Sequence, residues 1–317
     1  MSLKITHLRH IALKTPDPAA LAAFYQDKWG LKIVAEEDGR FYLRGVGPER
    51  FVLALEPAER RGISRLAFAL ENREAVDQAA LELAEQGVPI YRQPSGLDTP
   101  GGGYGFQLID PEGRCLELSS DVAPADPTET WTAPVRPNKI SHVVLNTADF
   151  EGIIKFFTDR LGFRVSDWSE QQMVFLRVNT DHHSISFNRA PHASLNHVAY
   201  EMPDMNEVMR GIGTLKRYGV NPMWGPGRHG PGNNVFCYFQ DAAGYVCEYT
   251  AEVQKIDEAT HQPEVWQRVP EKMDRWGISG PPSPEARAAM GGEPDPGLKA
   301  VNLAKSLKAE REVRKWI

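Results

Sequence analysis

The chain has 317 residues, a length that predicts about two domains. Hydrophobic residues make up 41% of it and charged residues 25%, as in ordinary globular proteins. A formal net charge of −6 argues against a general nucleic-acid-binding protein, and no apolar run is long enough to span a membrane. Residues 1–6 lack the apolar core of a secretory signal. Three cysteines do not indicate a disulfide framework, so we expect a reducing cytoplasm.

An internal repeat organises the sequence. Residues 10–15 have the sequence HIALKT and residues 142–147 the sequence HVVLNT, an offset of 132. Each motif is followed by an acidic residue and a stretch with apolar residues at helical spacing, over residues 17–29 and 149–161. Both stretches end just before a glycine, Gly30 or Gly162, as is typical of a helix C-cap.

The same offset recurs further along the chain. Residues 51–55 match 183–187, and residues 65–68 match 197–200, both at 132. The motif DPEG with Glu117 matches DAAG with Glu248 at an offset of 131. A single shift of one residue over this distance indicates a duplicated segment.

Each copy is itself double, with a strand, a helix and three further strands occurring twice. In the second copy the two units begin near Ile140 and Asn196. The predicted helices cover residues 149–161 and 204–218, and the clearest strands cover 164–170, 172–179, 183–190, 233–240 and 245–253. The sequence therefore predicts an α+β fold of four tandem βαβββ units, which form two barrel-like domains and carry a C-terminal extension.

The domain boundaries follow from composition. Residues 1–122 form the first pair of units, 123–138 a proline-rich linker, 139–253 the second pair and 254–317 the extension. Many prolines and glycines in residues 255–299 indicate a segment that wraps the second barrel or covers its mouth. Residues 298–317 have helical character, and we interpret them as an amphipathic contact helix or a frayed tail.

Three strand motifs of the second copy each carry one candidate metal ligand, namely His142, His197 and Glu248. Two imidazoles and one carboxylate suit non-haem Fe(II) and leave three coordination positions open, and the same ligands accept Mn(II). The alternative for either histidine is ordinary packing within a strand. The alternative for Glu248 is the solvent face of an edge strand, although its neighbours Cys247 and Tyr249 favour burial.

The first copy differs at one of these positions. It retains His10 and Glu117 but has Arg65 where His197 stands. A guanidinium is always cationic and is not a metal ligand. We therefore expect one metal site per chain, in the second copy, with His10 and Glu117 paired with Arg65 or simply packed.

Three further side chains near the candidate ligands carry transferable protons: His183, His229 and Tyr238. The glycine-rich segment 225–232 would let the backbone approach a ligand, or it is a plain surface loop. We assign His182 and His192 to the surface.

Residues 227–248 carry a resemblance to a known family. This segment resembles the signature of type I extradiol ring-cleaving dioxygenases, in the vicinal oxygen chelate superfamily. It consists of the motif GRH, seven further residues and then CYFQDAAGYVCE. The resemblance covers roughly residues 5–253 and is most specific over 140–250. Cys237 replaces an aliphatic residue or Phe, and Ala242 replaces a Pro, but neither position supplies chemistry.

The resemblance implies a role for each candidate residue. Fe(II) would be held by His142, His197 and Glu248. His183 would be the acid–base residue, while His229 and Tyr238 would hydrogen-bond the substrate oxygens. The implied reaction cleaves a catechol ring with O2 to a hydroxymuconic semialdehyde-type product in the degradation of aromatic compounds.

The family members that use carboxylated catechols have polar side chains where this chain has Val144 and Trp224. Together with Trp168, Phe175 and Phe187, Trp224 suggests an apolar pocket for a neutral or hydrophobic catechol. We expect a homo-oligomer whose partners are a catechol and O2, with no nucleic acid or membrane. The alternatives are a glyoxalase-like isomerase or transferase, and an aromatic-ligand-binding protein, on the same fold.

Overall fold

The structure is a computed structural model that describes residues 3–129 and 131–295. In each half, the order of one strand, one helix and three strands occurs twice. This confirms the predicted α+β fold of four βαβββ units followed by an extension. The last predicted helix, residues 298–317, lies outside the described residues.

The N-terminal half contains two units. The first consists of β1 (His7–Thr15), α1 (Pro18–Phe24), β2 (Lys32–Glu37), β3 (Arg40–Arg44) and β4 (Leu53–Pro57). The second consists of β5 (Gly62–Ala69), α2 (Arg73–Glu85), β6 (Ile90–Gly96), β7 (Tyr104–Ile109) and β8 (Cys115–Ser120). They form one eight-stranded sheet in the order β2-β3-β4-β1-β5-β8-β7-β6.

The C-terminal half repeats this arrangement. Its first unit consists of β9 (Lys139–Thr147), α3 (Phe150–Asp159), β10 (Arg164–Ser169), β11 (Met173–Arg177) and β12 (Ile185–Arg189). Its second consists of β13 (Ser194–Glu201), α4 (Met205–Arg217), β14 (Trp224–Arg228), β15 (Val235–Gln240) and β16 (Val246–Ala251). The extension adds β17 (Glu264–Trp266), α5 (Pro270–Met273) and α6 (Pro284–Gly291), and β17 completes a nine-stranded sheet in the order β14-β15-β16-β13-β9-β12-β11-β10-β17.

The four main helices all begin at an acidic or amide side chain. Asp17, Asn72, Asp149 and Asp204 each accept a hydrogen bond from the backbone amide three residues later, at 2.9–3.0 Å. This N-cap satisfies one of the amides that the first helical turn leaves free. The acidic residues that the sequence places before both predicted helices therefore serve as caps.

The first predicted helix is not continuous. It changes after Phe24 into a π-helical turn, Tyr25–Trp29, which ends at Gly30 with φ 93°. The wider turn directs two large aromatic side chains toward the other half of the molecule. There the Tyr25 hydroxyl donates to Asp241 at 2.8 Å, and Trp29 stacks on Tyr249 with ring centroids 3.8 Å apart.

The two halves share one core. A continuous cluster of buried apolar side chains extends from Leu8 and Ile11 in β1 to Tyr249 in β16. No helix among the described residues is long and apolar enough to cross a membrane.

Candidate metal centre and active site

Three adjacent strands bring the predicted ligands together. His142 lies on β9, His197 on β13 and Glu248 on β16, and Ala199 of β13 stands opposite both His142 and Glu248. Oε2 of Glu248 is 3.3 Å from Nε2 of His142 and 3.2 Å from Nε2 of His197. One potential ligand atom from each residue lies within 4.8 Å of the other two.

A β-bulge shapes this cluster. Asn196 is an extra residue in β13, between Leu195 opposite Leu145 and His197 opposite Val144. A bulge re-aims side chains locally, and here both Asn196 and His197 face the same cavity.

The triad has the properties of a cation site. Both Glu248 carboxylate oxygens and Nε2 of His197 are buried, and none forms a hydrogen bond of acceptable geometry to any residue in the described part of the chain. A buried carboxylate without hydrogen bonds is costly unless a cation compensates it. The donor set of two imidazoles and one carboxylate therefore fits a divalent metal, with Fe(II) and Mn(II) both compatible.

The pKa shifts of Glu248 and His197 favour the protonation states that bind a metal. Burial alone would raise the pKa of Glu248, but the facing imidazoles of His142 and His197 outweigh it and hold that pKa below the usual range. Burial lowers the pKa of His197. A deprotonated carboxylate and a neutral imidazole are the forms that bind metals.

The other ring nitrogens of both histidines have partners. Nδ1 of His197 lies 2.8 Å from Oδ1 of Asn196, and Nδ1 of His142 lies 3.2 Å from Oγ of Ser141. Since an amide oxygen only accepts, Nδ1 of His197 carries the proton and Nε2 is free to bind a metal.

A network of amide side chains extends this support. Asn146 on β9 accepts hydrogen bonds from Asn196 at 3.0 Å and from Asn188 at 2.8 Å. Its own amide group donates to the backbone oxygens of Met290 and Gly291 in α6, at 2.7 and 3.1 Å. The network therefore connects the C-terminal extension to the candidate ligand His197.

The three predicted proton-carrying residues also lie at the triad. The ring of His183 is 4.1 Å from that of His142, and Nε2 of His229 is 2.9 Å from the Tyr238 hydroxyl. Tyr238 packs edge-on against His197. The glycine-rich segment thus contributes a side chain to the site, as His229 shows.

Burial keeps all three residues uncharged. It lowers the pKa of His229 to about 4, and together with nearby His142 it lowers the pKa of His183 well below the ordinary value. Burial and the Glu248 carboxylate raise the pKa of Tyr238 well above 10.0. Near neutral pH the cavity therefore presents neutral imidazoles and a protonated phenol.

A cavity of about 450 Å³ opens onto the triad, within the size range of small-molecule sites. Trp224 of β14 and Ser169 of β10 both line it although they lie near opposite edges of the sheet, so the sheet curves around the cavity. Its apolar lining includes Val144, Met173, Phe175, Trp224, Met273 and Met290. Its polar lining includes Asn146, Ser169, Gln172, Asn188, Asn196, Arg268 and Arg287.

Two of the predicted pocket residues lie elsewhere. Trp168 and Phe187 are on the opposite sheet face, where Phe187 packs against Phe157 and Trp168 against Phe150 of α3. Alternate strand residues face opposite sides, so Phe175 faces the cavity while Phe187, opposite Val174, faces the helix. Beside the expected apolar side chains, the cavity thus has polar side chains in its lining.

The assignment of His182 to the surface is wrong. Its side chain is 0% exposed, and it lies between His183 and Asp167. The two adjacent histidines in the sequence could have indicated that His182 is buried beside His183. The contact with Asp167 depends on how closely β10 approaches this loop, which the sequence does not show. His192 is partly exposed and contacts the backbone oxygen of Gly292.

The extension covers the cavity. β17 pairs in parallel with β10, and Trp266, Arg268, Met273, Arg287 and Met290 of the extension line the cavity. The described part of residues 255–299 thus lies where a segment that wraps the second barrel or covers its mouth is expected, while residues 296–299 lie outside the described residues.

The equivalent position in the N-terminal half is filled by the protein itself. Nε of Arg65 lies 3.4 Å from Oε2 of Glu117, and His10 packs against the ring of Phe51. The adjoining cavity has a volume of only about 10 Å³. A guanidinium thus stands beside Glu117, while the equivalent Glu248 has no cationic side chain beside it among the described residues.

Comparison with known proteins decides the family. The sequence model of the Glyoxalase/Bleomycin resistance protein/Dioxygenase superfamily matches residues 7–118 and again residues 139–249. The chain belongs to this superfamily. The two matched segments correspond to the two halves of the structure, each with its pair of βαβββ units.

Individual members of the superfamily resemble the chain over most of its length. Metapyrocatechase 2 of Cupriavidus necator is 27% identical over 78% of this chain and 81% of its own. A manganese-dependent 2,3-dihydroxybiphenyl 1,2-dioxygenase of Geobacillus genomosp. 3 is 25% identical over 84% and 91%. The crystal structure of an Mn(II)-bound glyoxalase from Novosphingobium aromaticivorans has a TM-score of 0.86 and 40% identity, covering 93% of this chain and 97% of that one.

Proposed function

We propose that the protein is an extradiol dioxygenase that opens the aromatic ring of a catechol with O2. One observation carries the proposal: a triad that fits a divalent metal shares a cavity with two neutral imidazoles and a phenol. Ring cleavage needs both a metal with free positions and groups that move protons. The named relatives metapyrocatechase and dihydroxybiphenyl dioxygenase support the same reaction class.

The metal would be held by His142, His197 and Glu248. A divalent ion held there would supply Lewis-acid chemistry for the reaction of the catechol oxygens with O2. We propose Fe(II), with Mn(II) as the alternative that the manganese-dependent relative and the Mn(II)-bound structure support.

The chain's own side chains would orient the substrate and move its protons. His229 and Tyr238, which lie within hydrogen-bonding distance of each other, would bind the substrate oxygens next to the metal. His183, on the other side of the triad, would accept a proton from the catechol and return it during ring opening. Phe175 and Trp224 would contact the ring itself.

Oxygen consumption tests the proposal. Protein reconstituted with Fe(II) without air, and in parallel with Mn(II), is mixed with a panel of neutral catechols while O2 and absorbance are followed. We expect one O2 consumed per catechol and a yellow hydroxymuconic semialdehyde-type product. A metal-loaded protein that consumes no O2 with any catechol would contradict the proposal.

A glyoxalase-like isomerase is the second candidate, because the structure with 40% identity carries that description. It predicts metal-dependent conversion of the adduct of methylglyoxal and glutathione to a thioester, without O2 consumption. An aromatic-ligand-binding protein would instead bind catechols equally well with and without metal. These outcomes separate the three functions in the same set of assays.

A further inference from the structure

A chain of buried polar side chains leads from the edge of the sheet to the cavity. Oδ2 of Asp167 lies 3.0 Å from Nε2 of His182, and Nδ1 of His182 lies 3.0 Å from Nδ1 of His183. The exposed fractions of the three residues are 4%, 0% and 3%. Of the three, His183 alone lines the cavity.

The extension fixes the outer end of this chain. Oδ1 of Asp167 accepts a hydrogen bond from the backbone amide of Glu264 at 2.8 Å, and Oδ2 accepts one from Nε1 of Trp266 at 2.8 Å. Burial alone would raise the pKa of Asp167, but its donors, His182 first, lower it below the ordinary value. Asp167 is therefore a carboxylate that only accepts hydrogen bonds.

Because Asp167 can only accept, it fixes which atom donates in both hydrogen bonds of this chain. Nε2 of His182 must carry a proton, because its partner is an acceptor. Burial lowers the pKa of His182, so the ring is neutral and its Nδ1 is an acceptor. Nδ1 of His183 must then donate, and its Nε2 has a lone pair. No described residue forms a hydrogen bond with Nε2 of His183.

We propose that Asp167 and His182 are positioning residues, which hold His183 with a proton on Nδ1 and a lone pair on Nε2. This inference rests on the proposed function, in which His183 receives a substrate proton. The substrate O–H bond breaks and an N–H bond forms at Nε2. The resulting imidazolium donates its Nδ1–H to His182, whose own N–H is donated to Asp167, and the proton later returns from Nε2 to a product oxygen.

Substitution of the outer carboxylate tests the tautomer assignment. Asp167→Asn keeps the size of the side chain but leaves one oxygen acceptor for the three donors of His182, Trp266 and Glu264. With its oxygen toward the Glu264 amide, its NH2 group donates to His182 and reverses both hydrogen bonds. A wrong histidine tautomer costs up to about 10⁴ in kcat in the best-studied Asp–His pair, a serine protease. We expect kcat to fall by about 10²–10⁴, the range of general acid–base catalysis, with the KM for catechol and the bound metal unchanged.

Two substitutions of His182 separate positioning from packing. In His182→Asn, the side-chain oxygen can take the place of Nδ1 and accept from His183, so we expect most of kcat to remain. His182→Leu offers no acceptor and should lose as much as Asp167→Asn. Equal losses in the Asn and Leu variants would overturn the inference.

Asp181→Asn is the matched control. Asp181 is also buried and adjacent to His182, but it pairs with Lys139 and Lys255 and does not line the cavity. We expect its kcat to equal that of the wild type. If Asp167→Asn and Asp181→Asn lower kcat equally, or if Asp167→Asn loses metal, the role of Asp167 is structural.

A second measurement needs no turnover. The ¹⁵N NMR spectrum of zinc-loaded protein reports which ring nitrogen of His183 is protonated. We expect Nδ1–H in the wild type and Nε2–H in Asp167→Asn. A wild-type His183 protonated at Nε2 would refute the inference even for an active dioxygenase, whereas the expected tautomers in a protein that does not cleave catechols would refute only the proposed function.

Discussion

Glu248 and Glu117 occupy equivalent strand positions, but the side chains that surround and stabilise the two carboxylates differ. Glu117 is 2% exposed and has Arg65 at 3.4 Å and a hydrogen bond from Gln107 at 3.0 Å. Glu248 is fully buried and faces the imidazoles of His142 and His197 at comparable distances. A buried carboxylate is stabilised by a close cation or several donors, so we expect Glu248 to need a bound ion.

Replacement of Glu248 by Gln should therefore remove the response of stability to metal. We expect added Mn(II) to raise the Tm of the wild type, since a ligand at about 100 times its Kd stabilises the folded state by about 2.7 kcal/mol. Glu248→Gln should show no shift, as measured by calorimetry with and without Mn(II).

Glu117→Gln is the internal control for this experiment. It removes one of the two carboxylates beside the partly buried Arg65, and the other, Glu56, stays at 3.6 Å, so we expect a cost below the about 3–5 kcal/mol of breaking a fully buried pair. The variant should have a lower Tm than the wild type but the same shift with Mn(II). A metal-induced Tm shift that disappears in Glu117→Gln and persists in Glu248→Gln would show that the ion binds in the N-terminal half, which contradicts the proposed site.

At the scale of elements, Asn146 connects α6 to the candidate ligand His197. Its amide group donates to the backbone oxygens of Met290 and Gly291, and its side-chain oxygen accepts from Asn196, which holds Nδ1 of His197. Partners of this kind orient metal ligands, and their loss typically weakens metal binding by about 10–100-fold.

Asn146→Ala should weaken metal binding and loosen α6 together. We expect the Kd for Mn(II) to rise by about 10–100-fold, and the amides of residues 284–291 to exchange hydrogen faster. Metal titration and hydrogen-exchange mass spectrometry measure the two effects. Asn138→Ala, which removes an amide contact to Glu201 outside the cavity, is the control and should change neither.

The sequence was sufficient to predict the elements and to align the candidate ligand positions, for a physical reason. The 132-residue offset aligns His10 with His142 and Arg65 with His197, and strand and helix periods are local properties of the chain. The roles of His182 and Asp167 could not be predicted, because their hydrogen bond joins residues 15 apart across a loop and a strand edge. The positions of Trp168 and Phe187 were missed because strand alternation shows which residues share a face, but not whether that face meets the helices or the cavity.

At the scale of the whole molecule, the two halves share the register that builds the site. His10 is opposite Ala67 and Ala67 opposite Glu117, as His142 is opposite Ala199 and Ala199 opposite Glu248. Arg65 is opposite Ala12 in the way that His197 is opposite Val144. The backbone of the N-terminal half is thus arranged for a second triad, which a single side chain prevents.

Arg65→His should create a second metal site. We expect the ratio of bound Mn(II) to protein to rise from one to two, measured by elemental analysis after removal of free metal. Arg65→Gln removes the same cation without adding an imidazole, and its ratio should stay at one. If Arg65→His also binds one ion per chain, a shared register does not suffice for a site.

The contact between the halves predicts a dependence of stability on pH. Burial raises the pKa of Asp241, which accepts the Tyr25 hydroxyl, from 3.8 to about 6. The folded state therefore binds the proton more tightly than the unfolded state, and this contribution to stability is present below pH 3.8 and is lost as pH rises through 6. Relative to Asp241→Asn, the wild type should lose about 3 kcal/mol of unfolding free energy across this window.

Denaturant unfolding of both proteins between pH 4 and pH 7 measures this difference. Subtraction of the variant removes the opposite contributions of carboxyl groups with lowered pKa values, such as Asp181. A difference that grows in favour of the wild type as pH rises would show that Asp241 is held as a carboxylate at the interface.

The most direct test of the central claim uses isotopically labelled dioxygen. Metal-loaded protein is supplied with ¹⁸O2 and the catechol that supports the fastest oxygen uptake, and the ring-opened product is analysed by mass spectrometry. A dioxygenase with the proposed triad should place both labelled atoms in one product molecule, except for exchange of the aldehyde oxygen with water, and Glu248→Gln should yield no product. A product that contains no labelled oxygen, or an unchanged catechol beside a fully loaded metal site, would contradict the account.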